Sequence, residues 1–172
     1  MNIRSLLHPT LATLALCGIT SLAAADGLGN PPSPLEGAWK VTITPYVCAT
    51  GESLPISFHS HIIFSAGGTA SETTSNPFFQ PGQRSPGYGY WKRVGQGAYH
   101  SVIQAFIEFT SVVTPPDEPP YTRGTQVIDQ AIDIVDRNHW KSSASVSFFD
   151  EAGTLVPPSG CMRALSRRIG LG

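Results

Sequence analysis

Apolar side chains recur at every second position through most of this chain, and helical periodicity is nearly absent. Trp39, Val41 and Ile43 alternate with Lys40, Thr42 and Thr44. Ile56, Phe58, Ser60, Ile62 and Phe64 fall on one face, with Ser57, His59 and His61 on the other. Tyr99, Ile103, Ala105, Ile107 and Phe109 form a further stripe, and Ile128, Ile132 and Ile134 another. Trp140, Ala144, Val146 and Phe148 oppose Lys141, Ser143, Ser145 and Ser147. Successive side chains of a strand point to opposite faces of the sheet, so this pattern predicts strands buried on one side. Shorter segments at 69–75, 88–95 and 161–169 bring the expected strands to eight.

The links between these segments fall into two lengths. Ala66-Gly67-Gly68, Gly95-Gln96-Gly97 and Asp136-Arg137-Asn138 read as tight hairpin turns, rich in residues that tolerate positive φ. Residues 49–55, 76–87, 111–121 and 150–160 read as long links. In an up-and-down meander the two kinds alternate, so the long links gather at one end and the tight turns at the other. Closing eight strands into a single antiparallel barrel removes exposed edges and leaves room for side chains or one small ligand. A two-sheet sandwich is the alternative.

Residues 1–25 carry Arg4, an apolar run at 11–19 and small residues through Ala23-Ala24-Ala25, the order of a secretory signal peptide. A membrane anchor needs a longer run, and a lipoprotein anchor at Cys17 follows Leu16, where a small residue is expected. We therefore expect an exported protein, periplasmic or extracellular, with no membrane anchor after cleavage. A Pro-rich arm at 26–35 then precedes a barrel domain at 36–170. Cleavage takes Arg4 from eleven basic residues, so ten face twelve acidic ones and the formal charge becomes −2. With the two signs interspersed, nucleic acid is not an expected partner. Cleavage also takes one of three cysteines. The remaining Cys48 and Cys161 can form a disulfide, bind a metal or stay free. Neither has a neighbouring His or Cys to complete a metal site, and an oxidising compartment favours the disulfide. It would join the first strand to the last, which are neighbours in a closed barrel.

Gly37-Ala38-Trp39 resembles the G-x-W signature of the calycins, the lipocalin and avidin-like barrels. In that group the Trp plugs the closed end and an Arg near the end of the last strand packs across it. The resemblance assigns Trp39 to the plug and, of Arg167 and Arg168, Arg167 to the arginine. More of the chain is similar to a group of uncharacterised secreted bacterial proteins. The residues concerned are Glu36-Gly37-Ala38-Trp39, Cys48-x-Thr50-Gly51, Gly67-Gly68-Thr69, Ser85-Pro86-Gly87-Tyr88-Gly89-Tyr90-Trp91 and Gly160-Cys161. That likeness implies a calycin-like barrel and no particular activity.

Few residues suggest chemistry. His59 and His61 share a strand face, as metal ligands do in some barrels, but that face lies opposite Phe58, Ile62 and Phe64 and no carboxylate follows at a useful spacing. Asp129 and Asp133 are four residues apart on a strand, too far to share a proton, and read as outward carboxylates. His100 and His139 have no recognisable partner in sequence. No G-x-S-x-G elbow or phosphate-cradling glycine loop is present. Gly87 and Gly89 are expected to relieve crowding where a strand bends, with Tyr88 and Tyr90 packed on neighbouring strands. No cofactor or metal is implied, and no enzyme is indicated.

The expected function is binding of a small, mostly apolar ligand in the barrel lumen. Its walls would be Phe58, Ile62, Ile103, Ile128 and Val146, with Ser60 and Gln130 as polar anchors. Phe78 and Phe79 would form an apolar lip at the mouth, or tuck beneath their loop. One alternative is a protein-recognition module, such as a hydrolase inhibitor, using the mouth loops and the arm at 29–34. Another is a barrel isomerase or cyclase, which needs a polar cluster inside the lumen.

Overall fold

A computed structural model describes residues 32–108 and 123–170. The expected signal peptide, most of the arm, Phe109 and the link at 111–121 lie outside the described residues. The alternating segments form β1 (Gly37–Tyr46), β2 (Phe58–Phe64), β3 (Thr69–Thr74), β4 (Gly87–Gly95), β5 (Ala98–Glu108), β6 (Arg123–Asp136), β7 (His139–Asp150) and β8 (Leu155–Arg168). Each pairs antiparallel with the next, and β1 pairs with β8, closing an all-β up-and-down barrel of eight strands. Inward positions meet across the ladder: Ile103 faces Ile128, and Ile128 faces Val146. A slip of one residue would turn such a row to solvent, so the apolar pattern itself sets the register.

The tight-turn end is filled with aromatic side chains. Trp39, Phe64, Trp91, Tyr99 and Trp140 meet edge to face, with ring centroids 5.7–6.2 Å apart, a geometry that contributes beyond area burial. Leu35 is fully buried beneath them, and its carbonyl accepts a 2.8 Å bond from Trp39 Nε1. Arg168, not Arg167, packs across this plug, its guanidinium 4.1 Å from the centroid of the Trp39 ring. It also donates to the carbonyls of Pro34, Glu36 and Arg137. Arg168 shares the inward parity of Ala164 and Ser166 on β8, whereas Arg167 shares the outward parity of Leu165. Burial pushes the Arg168 pKa down, and the charge of Arg137 adds to that.

Two features differ from expectation or sharpen it. The expected long link at 150–160 is a short turn between longer strands. Phe148 and Phe149 pair with Val156 and Leu155, and the chain reverses through Gly153 at φ +79°. Pro157 and Pro158 lie next to a register irregularity opposite Val146 and Phe148, where the ladder tolerates residues without an N–H. The other feature is the close approach of β4 to β5. A Cβ on Gly89 would lie 1.8 Å from the Val102 carbonyl oxygen, so glycine is required there.

Cys48 and Cys161 form the disulfide, with Cα atoms 5.3 Å apart and a sequence separation of 113. Cys161 lies within β8 rather than at its start, opposite Tyr46. Replacing both cysteines with Ser should lower stability by about 4 kcal/mol, since the bond restricts a long unfolded loop. Denaturant unfolding should show this loss while the strand signal in circular dichroism is retained. Arg168→Ala should lower the melting temperature by several degrees, whereas Arg167→Ala should leave it nearly unchanged, as expected for an exposed side chain.

Candidate functional site

The walls named from the sequence all face inward. Phe58, Ser60, Ile62, Ile103, Gln130 and Val146 are buried, and Ile128 is partly so. Ile62, Ile103, Ile128 and Gln130 line an internal cavity that also touches Glu72, Ser142 and Met162. Its volume is about 40 Å³. That admits water, whereas a small-molecule site spans roughly 300–1,000 Å³. Phe58, Ser60 and Val146 are not on its surface and serve as packing. With the side chains as they stand, the lumen is filled.

Its open-end half combines buried apolar side chains, Phe58, Ile107 and Val146 among them, with a buried polar network. Glu72 on β3 is 3% exposed, and Arg84, from the link between β3 and β4, is 4% exposed. Their side chains meet at 2.7 Å. Ser60 Oγ donates to the other carboxylate oxygen of Glu72 at 2.8 Å, and Arg84 Nε donates to Gln126 Oε1 at 2.6 Å. Deeper in the barrel, Ser101 Oγ donates to Gln130 Oε1, and Gln130 Nε2 donates to Ser142 Oγ. A charge buried alone is costly, so this arrangement persists because each ion is paired and hydrogen-bonded.

The backbone delivers Arg84 to this position. Ser85 N donates to the Phe106 carbonyl and Glu108 N to that of Gln83, laying residues 83–85 along β5. Arg84 thereby bridges to Ile107, an inward position, and its side chain enters the barrel. Gly87 opens β4 beside the pair. A Cβ there would lie 2.6 Å from Ile103 Cγ2 and 3.1 Å from Glu72 Oε2.

Outside the pair, the loop at 76–86 and the end of β3 enclose a cleft of about 400 Å³. Asn76, Phe79 and Arg84 line it together with Thr73, Thr74 and Ser75. Phe79 turns into the cleft and Phe78 is 60% exposed beside it, so the two adjacent phenylalanines divide the alternatives of tucked side chain and exposed lip. Arg84 thus lines the outer cleft, while its partner Glu72 lines the inner cavity.

The remaining candidates are dispersed over the outer surface. His59 and His61 are exposed on β2. Among the described residues no group of three His, Cys, Asp or Glu is placed to hold a metal. Asp129 Oδ1 lies 2.8 Å from His100 Nε2, and Asp133 is exposed. Asp136 holds His139 at the tight turn into β7, and its pKa is lowered chiefly by the Asn138 backbone N–H and then by His139. Tyr88 and Tyr90 lie on the outer face, 66% and 51% exposed.

Glu72, Arg84, Gln126, Ser101 and Ser142 were not apparent from the sequence. Glu72 carried one signal, because it shares the parity of Ala70 and is therefore an acidic residue on an inward face. Arg84 carried none, since it lies in a link whose path no periodicity describes.

No family model matches this chain, and no characterised protein shows significant sequence similarity to it.

Arg84→Met leaves Glu72 charged and unpaired in the interior and should cost about 3–5 kcal/mol in denaturant unfolding. The double change Glu72→Met with Arg84→Met removes both charges and should regain most of that loss, a non-additivity that a double-mutant cycle measures.

Proposed function

We propose that this is an exported, non-enzymatic binding protein of calycin-like architecture that takes a small molecule at the open end of its barrel. The observation that carries this reading is the buried Arg84–Glu72 pair lying directly beneath a cleft of small-molecule size. A barrel closed only for stability fills its mouth more cheaply with apolar side chains. Support for the architecture comes from Trp39 in the Gly37-Ala38-Trp39 motif, with Arg168 across its ring, as in the calycin closed end. Support for export comes from the Cys48–Cys161 bond, a feature of oxidising compartments.

The mostly apolar ligand expected in the lumen would contact Ile62, Ile103, Ile128 and Gln130, with Phe58, Ser60 and Val146 behind them. Reaching them requires the side chains that fill the lumen to move, because the free space there is only about 40 Å³. The ligand of the barrel in this conformation is instead held above Arg84. A protein-recognition role has one observation in its favour, the exposed Phe78 at the rim.

Titration of the isotope-labelled protein with a chemically diverse small-molecule library tests the reading. Backbone amide shifts confined to residues 73–86 and the strand ends beneath them are the expected result. Ligands that shift only the outer barrel wall or the closed end would overturn it.

A further inference from the structure

We propose that the cleft bounded by β3 and residues 76–86 is a site for a neutral polyhydroxylated molecule, a mono- or disaccharide; this rests on the open-end reading above and names its ligand class. Charge is the first argument. Among the residues lining the cleft, Arg84 is the one charged side chain, and Glu72 already matches it at 2.7 Å. The pair presents no net charge to a ligand. An anion would have to compete with a carboxylate that is itself held by Ser60, and a cation finds no counter-charge in the lining.

Hydrogen bonding is the second argument. Asn76 is 9% exposed, and its Oδ1 accepts the Phe78 N–H at 3.0 Å. Its Nδ2 donates to no group among the described residues. Arg84 uses its Nε and one N–H of each Nη on Gln126, Glu72 and Ser85, which leaves two of the five guanidinium N–H groups unspent. The floor of the cleft therefore offers donors, and on its wall the Thr73 hydroxyl can both donate and accept, while that of Ser75, which gives its proton to the His59 carbonyl, can only accept. An apolar occupant would leave the Asn76 donor dry, at the cost of an unmade buried hydrogen bond. A molecule bearing several hydroxyls satisfies donors and acceptors together.

The third argument is the remaining wall. Phe79 and the neighbouring prolines supply flat apolar surface next to these polar groups. A pyranose has the same division, with C–H faces and a hydroxyl rim. A site of apolar wall plus a few fixed polar groups is the usual composition of small-ligand pockets.

Nuclear magnetic resonance titration of the full exported chain tests this with three probes: a panel of neutral mono- and disaccharides, glucuronate as the charged sugar, and N-phenyl-1-naphthylamine as the apolar probe. At least one neutral saccharide should shift amides within residues 73–86, more tightly than the other two probes. Asn76→Asp keeps the Oδ1 acceptor for Phe78 N–H and removes the donor, so it should weaken that saccharide about tenfold, the worth of one such bond. Phe79→Ala should weaken it as well, with the spectrum outside the loop unchanged. Binding at 73–86 by glucuronate or the naphthylamine but by no neutral saccharide overturns the ligand class and leaves the open-end reading standing. Saccharide binding undiminished in Asn76→Asp also overturns the proposal. If no probe or library compound perturbs residues 73–86, both readings fall.

Discussion

Closure of β1 against β8 is the contact on which the rest of this structure depends. Seven of the eight strand pairings join neighbours in sequence, and a chain could form those seven as an open sheet. Only the pairing of Trp39–Tyr46 with Cys161–Arg168 brings the two ends of the chain together. It is also the most expensive in chain entropy, because the whole barrel lies between its strands. Two cross-links sit on this one seam. The disulfide holds it at the open end, and Arg168, stacked on Trp39 and bonded to the Pro34 and Glu36 carbonyls, holds it at the closed end. The seam is thus reinforced where loop closure costs most.

With the seam shut, the interior must be filled from both ends, and the two ends are filled differently. The closed end uses aromatic rings, which bury large areas and need few polar contacts. The open end adds ions and amides to apolar side chains such as Phe58 and Ile107. Glu72 and Arg84 cannot have been favoured there by transfer from water, which opposes burying either. They are tolerated because Ser60 and Gln126 complete their hydrogen bonds. The low dielectric that makes an unpaired charge costly also strengthens the completed network. Arg84 consequently ties the loop at 76–86 to the barrel more firmly than an apolar side chain of similar length would fix its orientation.

The fold was legible because a barrel repeats one rule eight times. The alternation at Trp140–Ser147 or Phe58–Phe64 assigns each side chain to a face without knowledge of its partners, and cysteines at the same end of first and last strands favour closure over a sandwich without deciding it. The same rule, carried to the end of β8, selects Arg168 over Arg167, because Arg168 continues the parity of Ala164 and Ser166. The link at 150–160 misled because Pro157, Pro158 and two glycines resemble loop sequence, while the pairing of Phe148 and Phe149 with Val156 and Leu155 is a tertiary preference. The candidate site was less legible for a different reason. Its central residue, Arg84, reaches the interior through hydrogen bonds of a non-repetitive loop to β5, and such geometry has no period to read.

The division of labour between ends also locates where binding can occur without disturbing the fold. At the closed end every inward side chain touches another, and Leu35 seals the last gap, so a ligand there would have to displace the cluster that holds the seam. The barrel wall presents Ser and Lys side chains along β7, and the cleft of about 430 Å³ that Lys141, Ser142 and Ser143 share with Thr42, Thr44 and Arg163 has no buried ion pair in its lining. At the open end the strand ladder is already complete, and the loop at 76–86 contributes nothing to closure of β1 on β8. It encloses a volume, fixes a buried ion pair beneath it and leaves donors unspent. Those features cost free energy without being needed for closure, and that is the physical reason to place recognition at this end.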